Sequence, residues 1–199
     1  MTAQRQEPIH LMTAAEFQQL YGDSDNARFE LVDGEVRAMS PASSIHGTIQ
    51  ARMASLIDGH LDRSRSPCRV VTEPAIAVRV RADANVRVPD LGVSCVPDAP
   101  GQVLLPDPIL LIEILSPSNA GDTWGNVWAY TTIPTVVEIV LLHSTEILAE
   151  VLRRESDGNW PPETMKVAAG QTLALASIGF ECPIEAVYAR THLQVPPAS

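Results

Sequence analysis

The sequence predicts an α/β fold, and three observations carry that prediction. Ile45, Ile49, Met53, Leu56, Ile57 and Leu61 recur at helical spacing, which marks an amphipathic helix. Residues 109–115, Ile-Leu-Leu-Ile-Glu-Ile-Leu, are apolar on both faces except at Glu113, as expected of a strand in the middle of a sheet. Short alternating segments bounded by Gly, Pro, Asn and Asp supply further strands on either side.

The elements follow in order. Residues 1–12 read as a lead-in. Thr13 is placed to cap a helix, and Glu16, three residues on, completes a capping box, so a short helix runs to about residue 21. Residues 28–39 alternate around Asp33-Gly34, a hairpin signal, and Ser40-Pro41 ends the hairpin. The helix over 44–63 follows. Residues 70–81 read as one strand bent at Pro74, and residues 88–96 as another, left through Pro97-Asp98-Ala99-Pro100-Gly101. After the strand at 109–115, Ser116-Pro117-Ser118-Asn119 leads into a helix over about 120–132, either as a rigid corner or as an anion-holding helix start. Trp124 and Trp128 are four apart there and share a face, read as core rather than as a platform for bases. Residues 135–143 and 146–154 form two strands around a tight turn. Asp157-Gly158-Asn159 is a turn, Trp160 is expected to be exposed or at an interface, and residues 163–181 hold one or two short strands. The tail from Gln194 reads as unstructured.

Composition bounds the function. The chain has 199 residues, 45 % hydrophobic and 19 % charged, enough for one domain with a real core. No apolar run is long enough to span a membrane, and the first residues lack the pattern of a signal peptide. Cys68, Cys95 and Cys182 form no CxxC pair, and their odd number argues against a disulfide framework, so the cytoplasm is the expected location. The formal net charge of −10 opposes non-specific binding to nucleic acid. Between residues 63 and 87, however, six arginines stand against two acids, Glu73 and Asp83. They read either as ordinary solvated residues or as a phosphate-facing patch. Neither Gly-x-Ser-x-Gly nor HExxH occurs, which weakens a small-molecule hydrolase.

The chemistry concentrates in two acids. Asp90 lies in Val-Pro-Asp-Leu-Gly-Val and Glu113 in the doubly apolar strand. A carboxylate in apolar surroundings is costly without compensation. If the two strands pair antiparallel with Val96 opposite Ile109, Gly92 faces Glu113 and Asp90 points to the same side, a diagonal neighbour. Two like charges that close need a cation to stay ionised together, and hard oxygen donors favour Mg²⁺ or Mn²⁺. The alternatives are that Asp90 caps a strand end beside Pro89 and that Glu113 pairs with a buried arginine.

Phe-Glu-Leu-Val-Asp-Gly-Glu-Val (29–36), Met-Ser-Pro followed by His46, Val-Pro-Asp (88–90), Ile-Glu-Ile-Leu-Ser-Pro-Ser (112–118) and Ala-Tyr-Thr-Thr-Ile-Pro (129–134) occur in that order. Together they resemble the Uma family of "putative restriction endonucleases", a branch of the PD-(D/E)xK nuclease superfamily. The match covers about residues 13–155, a nuclease-like core, and leaves 156–199 as a C-terminal extension of a single domain, 1–199. The resemblance implies a restriction-endonuclease-like mixed central sheet flanked by helices and Mg²⁺- or Mn²⁺-dependent hydrolysis of DNA phosphodiesters. It implies that Asp90, Glu113 and the backbone carbonyl of Ile114 hold the metal, with Glu30 and His46 as further site groups. For Glu30 the alternative is a half-buried hairpin acid, and for His46 a helix-start histidine packed on the preceding loop. The superfamily lysine falls on Leu115, and the family's helix lysine, four residues after Asp122, falls on Asn126. The single lysine, Lys166, lies far downstream. An uncharged Asn126 weakens turnover more than metal binding, so the rival reading is a catalytically weak or inactive nuclease-fold module that binds protein or regulates. A homodimer is the expected assembly if both DNA strands are cut.

Overall fold

A computed structural model describes residues 11–22, 28–117 and 120–194. The start of the lead-in, Ser118-Asn119 before the third helix and the end of the tail lie outside the described residues. The elements are α1 (Ala14–Tyr21), β1 (Phe29–Val32), β2 (Glu35–Ala38), α2 (Ser44–Ser64), β3 (Arg69–Thr72), β4 (Ile76–Ala77), β5 (Val86–Arg87) and β6 (Leu91–Ser94). They continue with β7 (Pro108–Leu115), α3 (Ala120–Tyr130), β8 (Glu138–His143), β9 (Leu148–Arg153), β10 (Met165–Ala168), β11 (Thr172–Leu175) and β12 (Phe180–Pro183), before a single 3-10 turn at Ile184–Ala186.

The strands form a large mixed sheet, β10-β9-β8-β7-β6-β3, a smaller one, β2-β1-β5-β4, and the β11-β12 hairpin. In the large sheet β7 and β8 run parallel, joined through α3, and the other pairs are antiparallel. The alternation along β7 explains the layers. Leu110, Ile112 and Ile114 pack with Ile49, Met53, Ile57 and Leu61 of α2, whereas Leu111 packs with Val127 and Tyr130 of α3. Each α2 side chain so buried contributes about 1.5–3 kcal/mol. Glu113 shares the parity of Leu111 and therefore projects onto the α3 side. A third cluster, Phe17 with Leu31 and Val86, fastens α1 to the smaller sheet.

Local signals account for the helix starts and the first turn. Thr13 and Glu16 make the reciprocal capping box at α1. Ser43 accepts from the His46 backbone N–H at the start of α2. Asp33 (φ 53°) and Gly34 (φ 87°) occupy the left-handed region that a two-residue hairpin turn of this type demands.

Several expectations are corrected. The segment 70–81 is two strands in different sheets, β3 and β4, because the chain turns at Glu73-Pro74 with Glu73 at φ 48°. Likewise 88–96 begins as a crossing: β5 belongs to the small sheet, β6 to the large one, and Val88-Pro89-Asp90 bridges them. Residues 163–181 hold β10, β11 and the start of β12 rather than one or two strands. Trp128 is 56 % exposed, because α3 buries Thr123, Val127 and Tyr130, and Trp128 stands a third of a turn round from that line. Trp160 is half-buried instead of exposed: its Nε1 donates to the Thr131 carbonyl, and Arg154 stacks on its ring.

Cys68 and Cys95 are joined in a disulfide, against the expectation of none. Arg69 pairs with Ser94, so the residue before β3 lies opposite the residue after β6 despite a separation of 27 in sequence. Disulfides belong to oxidising surroundings, so the cysteines lend no support to a cytoplasmic location. Among the described residues no helix is long and apolar enough to cross a membrane.

Gly92 marks the tightest contact near the strand carrying Asp90. A Cβ there would sit 2.8 Å from Leu105 Cδ2 and 2.9 Å from Pro74 Cγ. Gly92→Ala is expected to cost about 1–3 kcal/mol through overpacking, read as a lowered midpoint of thermal unfolding. An unchanged midpoint would show that Leu105 and the Pro74 ring yield freely.

Candidate active site

The site forms where the two sheets meet. The antiparallel pairing of β6 and β7 sets Leu91 opposite Ile112 and Gly92 opposite Leu111. Continued one residue, it places Asp90 directly opposite Glu113. The expected register is thus corrected by two residues: the acids oppose each other rather than lying diagonally, and because the shift is even they keep a common side. Both are 7 % exposed.

Each acid is held by named donors. Asp90 Oδ2 accepts from the Ile114 backbone N–H (2.6 Å), and Asp90 Oδ1 lies 2.7 Å from His46 Nε2. Gln50, one turn beyond His46 on α2, donates to the Asp90 carbonyl (3.0 Å). Glu113 Oε1 accepts from the Tyr130 hydroxyl (2.5 Å). Burial drives the Glu113 carboxyl well above its ordinary range, the negative charge of Asp90 adds to the rise, and the Tyr130 hydrogen bond opposes it. Burial also raises the Tyr130 phenol, with the Glu113 charge acting in the same direction. Among the described residues neither acid is paired with an arginine: the partners are a histidine, a tyrosine and a backbone amide.

The smaller sheet contributes the facing wall. Glu30 on β1 accepts from the Val88 N–H (2.8 Å), and Asn126 Nδ2 on α3 makes a long contact to the same oxygen (3.5 Å). Burial raises the Glu30 carboxyl, while the Val88 N–H and the charge of Arg87 pull the other way. Glu30, His46, Asp90, Glu113 and Asn126 all line one cleft of about 1240 Å³, which Asp122, Arg87 and Arg37 also border. Of the arginines between 63 and 87, only Arg87 lines this cleft. Arg63, Arg65, Arg79 and Arg81 are exposed elsewhere, and Arg69 is tied to Asp98, so that run is not one surface.

Among the described residues no three His, Cys, Asp or Glu side chains converge into a metal cage. The donor set at hand is two opposed carboxylates and the carbonyl of Ile114. That carbonyl leaves β7 on the same edge as its N–H, toward Asp90, since Leu115 is the residue that bonds β8, accepting from the Ser144 N–H. Each carboxylate oxygen keeps a second lone pair beyond the hydrogen bond it accepts. Such an all-oxygen set suits Mg²⁺ or Mn²⁺, which keep several waters and need only one or two carboxylates.

A family model described as "Uma2: Putative restriction endonuclease" matches residues 14–185. The chain belongs to the Uma2 family. A relative, the uncharacterized protein slr1290 of Synechocystis sp., is 27 % identical over 183 residues, covering 91 % of this chain and 93 % of that protein. The fold is that of a crystal structure of "a putative nuclease belonging to DUF820" from Anabaena variabilis ATCC 29413. The superposition has a TM-score of 0.69 at 19 % identity, covering 92 % of this chain and 98 % of the other. The Uma2 chain therefore has the nuclease-like α/β architecture, with its acids at the junction of two sheets.

Two groups of the site, Tyr130 and Gln50, were given no role by the sequence reading, and Arg87 was read only as one of six arginines in a possible phosphate-facing patch. Tyr130 lies four residues after Asn126 on α3, and Gln50 four after His46 on α2, so each shares a helix face with a residue already singled out. Arg87 lies three residues before Asp90, within a run of arginines that hid its separate environment.

Proposed function

We infer that this Uma2 chain is a Mg²⁺- or Mn²⁺-dependent endonuclease that hydrolyses DNA phosphodiesters. The observation that carries the reading is the opposition of Asp90 and Glu113, two buried carboxyls facing each other between apolar strands. Such a pair is costly unless a proton or a cation sits between them. A divalent ion held there supplies Lewis acidity toward a phosphoryl oxygen and lowers the pKa of water.

The remaining steps belong to the chain. Asp90, Glu113 and the Ile114 carbonyl would hold the ion. His46 and the Ile114 N–H fix the orientation of Asp90, and Tyr130 fixes Glu113, so the donors are preorganised before loading. Glu30, whose affinity for a proton is raised by burial, is placed on the opposite wall to accept a proton from the attacking water. Asn126 orients Glu30 or a phosphate oxygen without supplying charge.

The test is melting and nicking in parallel. Mn²⁺ should raise the melting temperature of the wild type, and Asp90→Ala should remove that shift. Supercoiled plasmid should be nicked only with divalent ion. The rival, a protein-binding module on an inactive nuclease fold, is favoured by Asn126 at the lysine position and by the net charge of −10. Unchanged melting with Mn²⁺ together with no nicking across a broad pH range would overturn the endonuclease reading and favour that rival.

A further inference from the structure

We propose that Arg87 is the cation that meets the scissile phosphate, in the role left empty by the absence of a lysine at Leu115 and Asn126. This rests on the nuclease reading above and concerns how the substrate is held.

Arg87 ends β5, opposite Glu30 on β1: the pairing of Leu31 with Val86, continued one residue, aligns the two. It is 6 % exposed and borders the cleft. Its Nη1 donates to the Leu31 carbonyl (2.5 Å), and its buried Nε has no hydrogen-bond partner. Among the described residues no carboxylate forms an ion pair with it. Glu30 and Asp33 offset part of its charge from a distance, but neither carboxylate contacts the guanidinium, and a buried donor left unspent is a cost. Arg154 also leaves its Nε unpartnered, but it donates to the Thr131 and Ile133 carbonyls, stacks on Trp160 and lies outside the cleft, so the location of Arg87 at the cleft wall is what sets it apart.

The other cations do not compete for the role. Arg28 and Arg37 also line the cleft, but Arg28 is paired with Glu73 and Arg37 with Glu35, and both arginine side chains are more than half exposed. Lys166 is exposed on β10, three strands from β7. Arg87 alone among these is buried at the cleft wall, and its planar fork matches two oxygens of one phosphate. A phosphodiester drawn onto the ion at Asp90 and Glu113 would meet Arg87 from the smaller sheet, with Glu30 beside it. The guanidinium binds and stabilises charge on the phosphoryl oxygens. Its high pKa leaves the proton transfer to Glu30.

The experiment compares wild type, Arg87→Lys, Arg87→Gln and Arg87→Met in three readouts: the Mn²⁺-induced melting shift, affinity for a short duplex in Ca²⁺, and single-turnover plasmid nicking at saturating protein. Arg87→Met is expected to keep the Mn²⁺ shift, to bind the duplex at least several-fold more weakly, and to nick on the order of 10²–10³ more slowly. Arg87→Lys, which keeps the charge, should recover part of both losses. Arg87→Gln serves where the methionine variant does not fold, since it can still donate to the Leu31 carbonyl. If the neutral variants nick and bind like wild type, the proposal is overturned while the nuclease reading stands. If they lose the Mn²⁺ shift in step with activity, Arg87 is a structural support and the proposal is likewise overturned. A wild type that neither binds the duplex nor nicks overturns both readings.

Discussion

Glu113→Gln is expected to stabilise the metal-free protein above weakly acidic pH and to abolish its response to Mn²⁺. Burial, helped by the charge of Asp90, raises the Glu113 carboxyl well above its ordinary value of 4.5. The folded chain therefore retains a proton at pH values where the unfolded chain has released it. The stability due to this group is fully present below 4.5 and is lost as pH rises through the folded value. Across that window the slope approaches about 1.4 kcal/mol per pH unit for one proton. Glutamine keeps the shape, still accepts from Tyr130 and has nothing to ionise, so its melting temperature should lack that descent. Mn²⁺ should flatten the wild-type profile in the same window, because the ion displaces the proton it replaces. Parallel pH profiles for wild type and Glu113→Gln would sink the claim that this carboxyl is held protonated.

Glu138→Ala should be the most damaging single change away from the cleft. Glu138 is 1 % exposed and accepts from Arg153 Nε (2.6 Å), the backbone N–H groups of Ala176 (3.2 Å) and Ser177 (3.1 Å), and the Ser177 hydroxyl (2.7 Å). It ties β8 to the turn between β11 and β12. Truncation strands several donors at once, and breaking a buried pair of this kind costs about 3–5 kcal/mol. For a chain of this size that is a fall of roughly 10 °C in Tm. A loss under about 1 kcal/mol would mean that water enters and satisfies those donors.

The sequence was most informative where one residue type meets one local rule. Thr13 with Glu16, Asp33 with Gly34, and the spacing of Ile49, Met53, Ile57 and Leu61 each marked an element that the structure contains. Glu113 stood out because its neighbours are aliphatic. What stayed hidden is non-local. Pro74 marked a bend in 70–81, but neither it nor Pro89 tells a bent strand from a change of sheet, since a strand crossing between sheets keeps the same alternation. The Cys68–Cys95 bond depends on a register that only the paired strands establish. Trp124 and Trp128 obey the four-residue rule, yet only Trp124, half-buried against the Val127 and Tyr130 cluster, meets the core expectation, while Trp128 stands out in solvent. Opposition of Asp90 and Glu113 required an even register, and because β7 is apolar on both faces neither the parity nor the exact offset could be read from the hydrophobic pattern; the parity was supposed and the offset was two residues out.

The cleft draws its groups from two separately anchored bodies. Asp90 and Glu113 ride on the six-stranded sheet, clamped by α2 and α3, whereas Glu30 and Arg87 ride on the four-stranded sheet, seated on Phe17, Leu31 and Val86. On the nuclease reading proposed above, the larger sheet would hold the ion and the smaller one would face the polymer. If that reading holds, substitutions in the smaller sheet's hairpin and its underlying wedge would retune which nucleic acid is engaged without disturbing the deeper vice that would retain the ion.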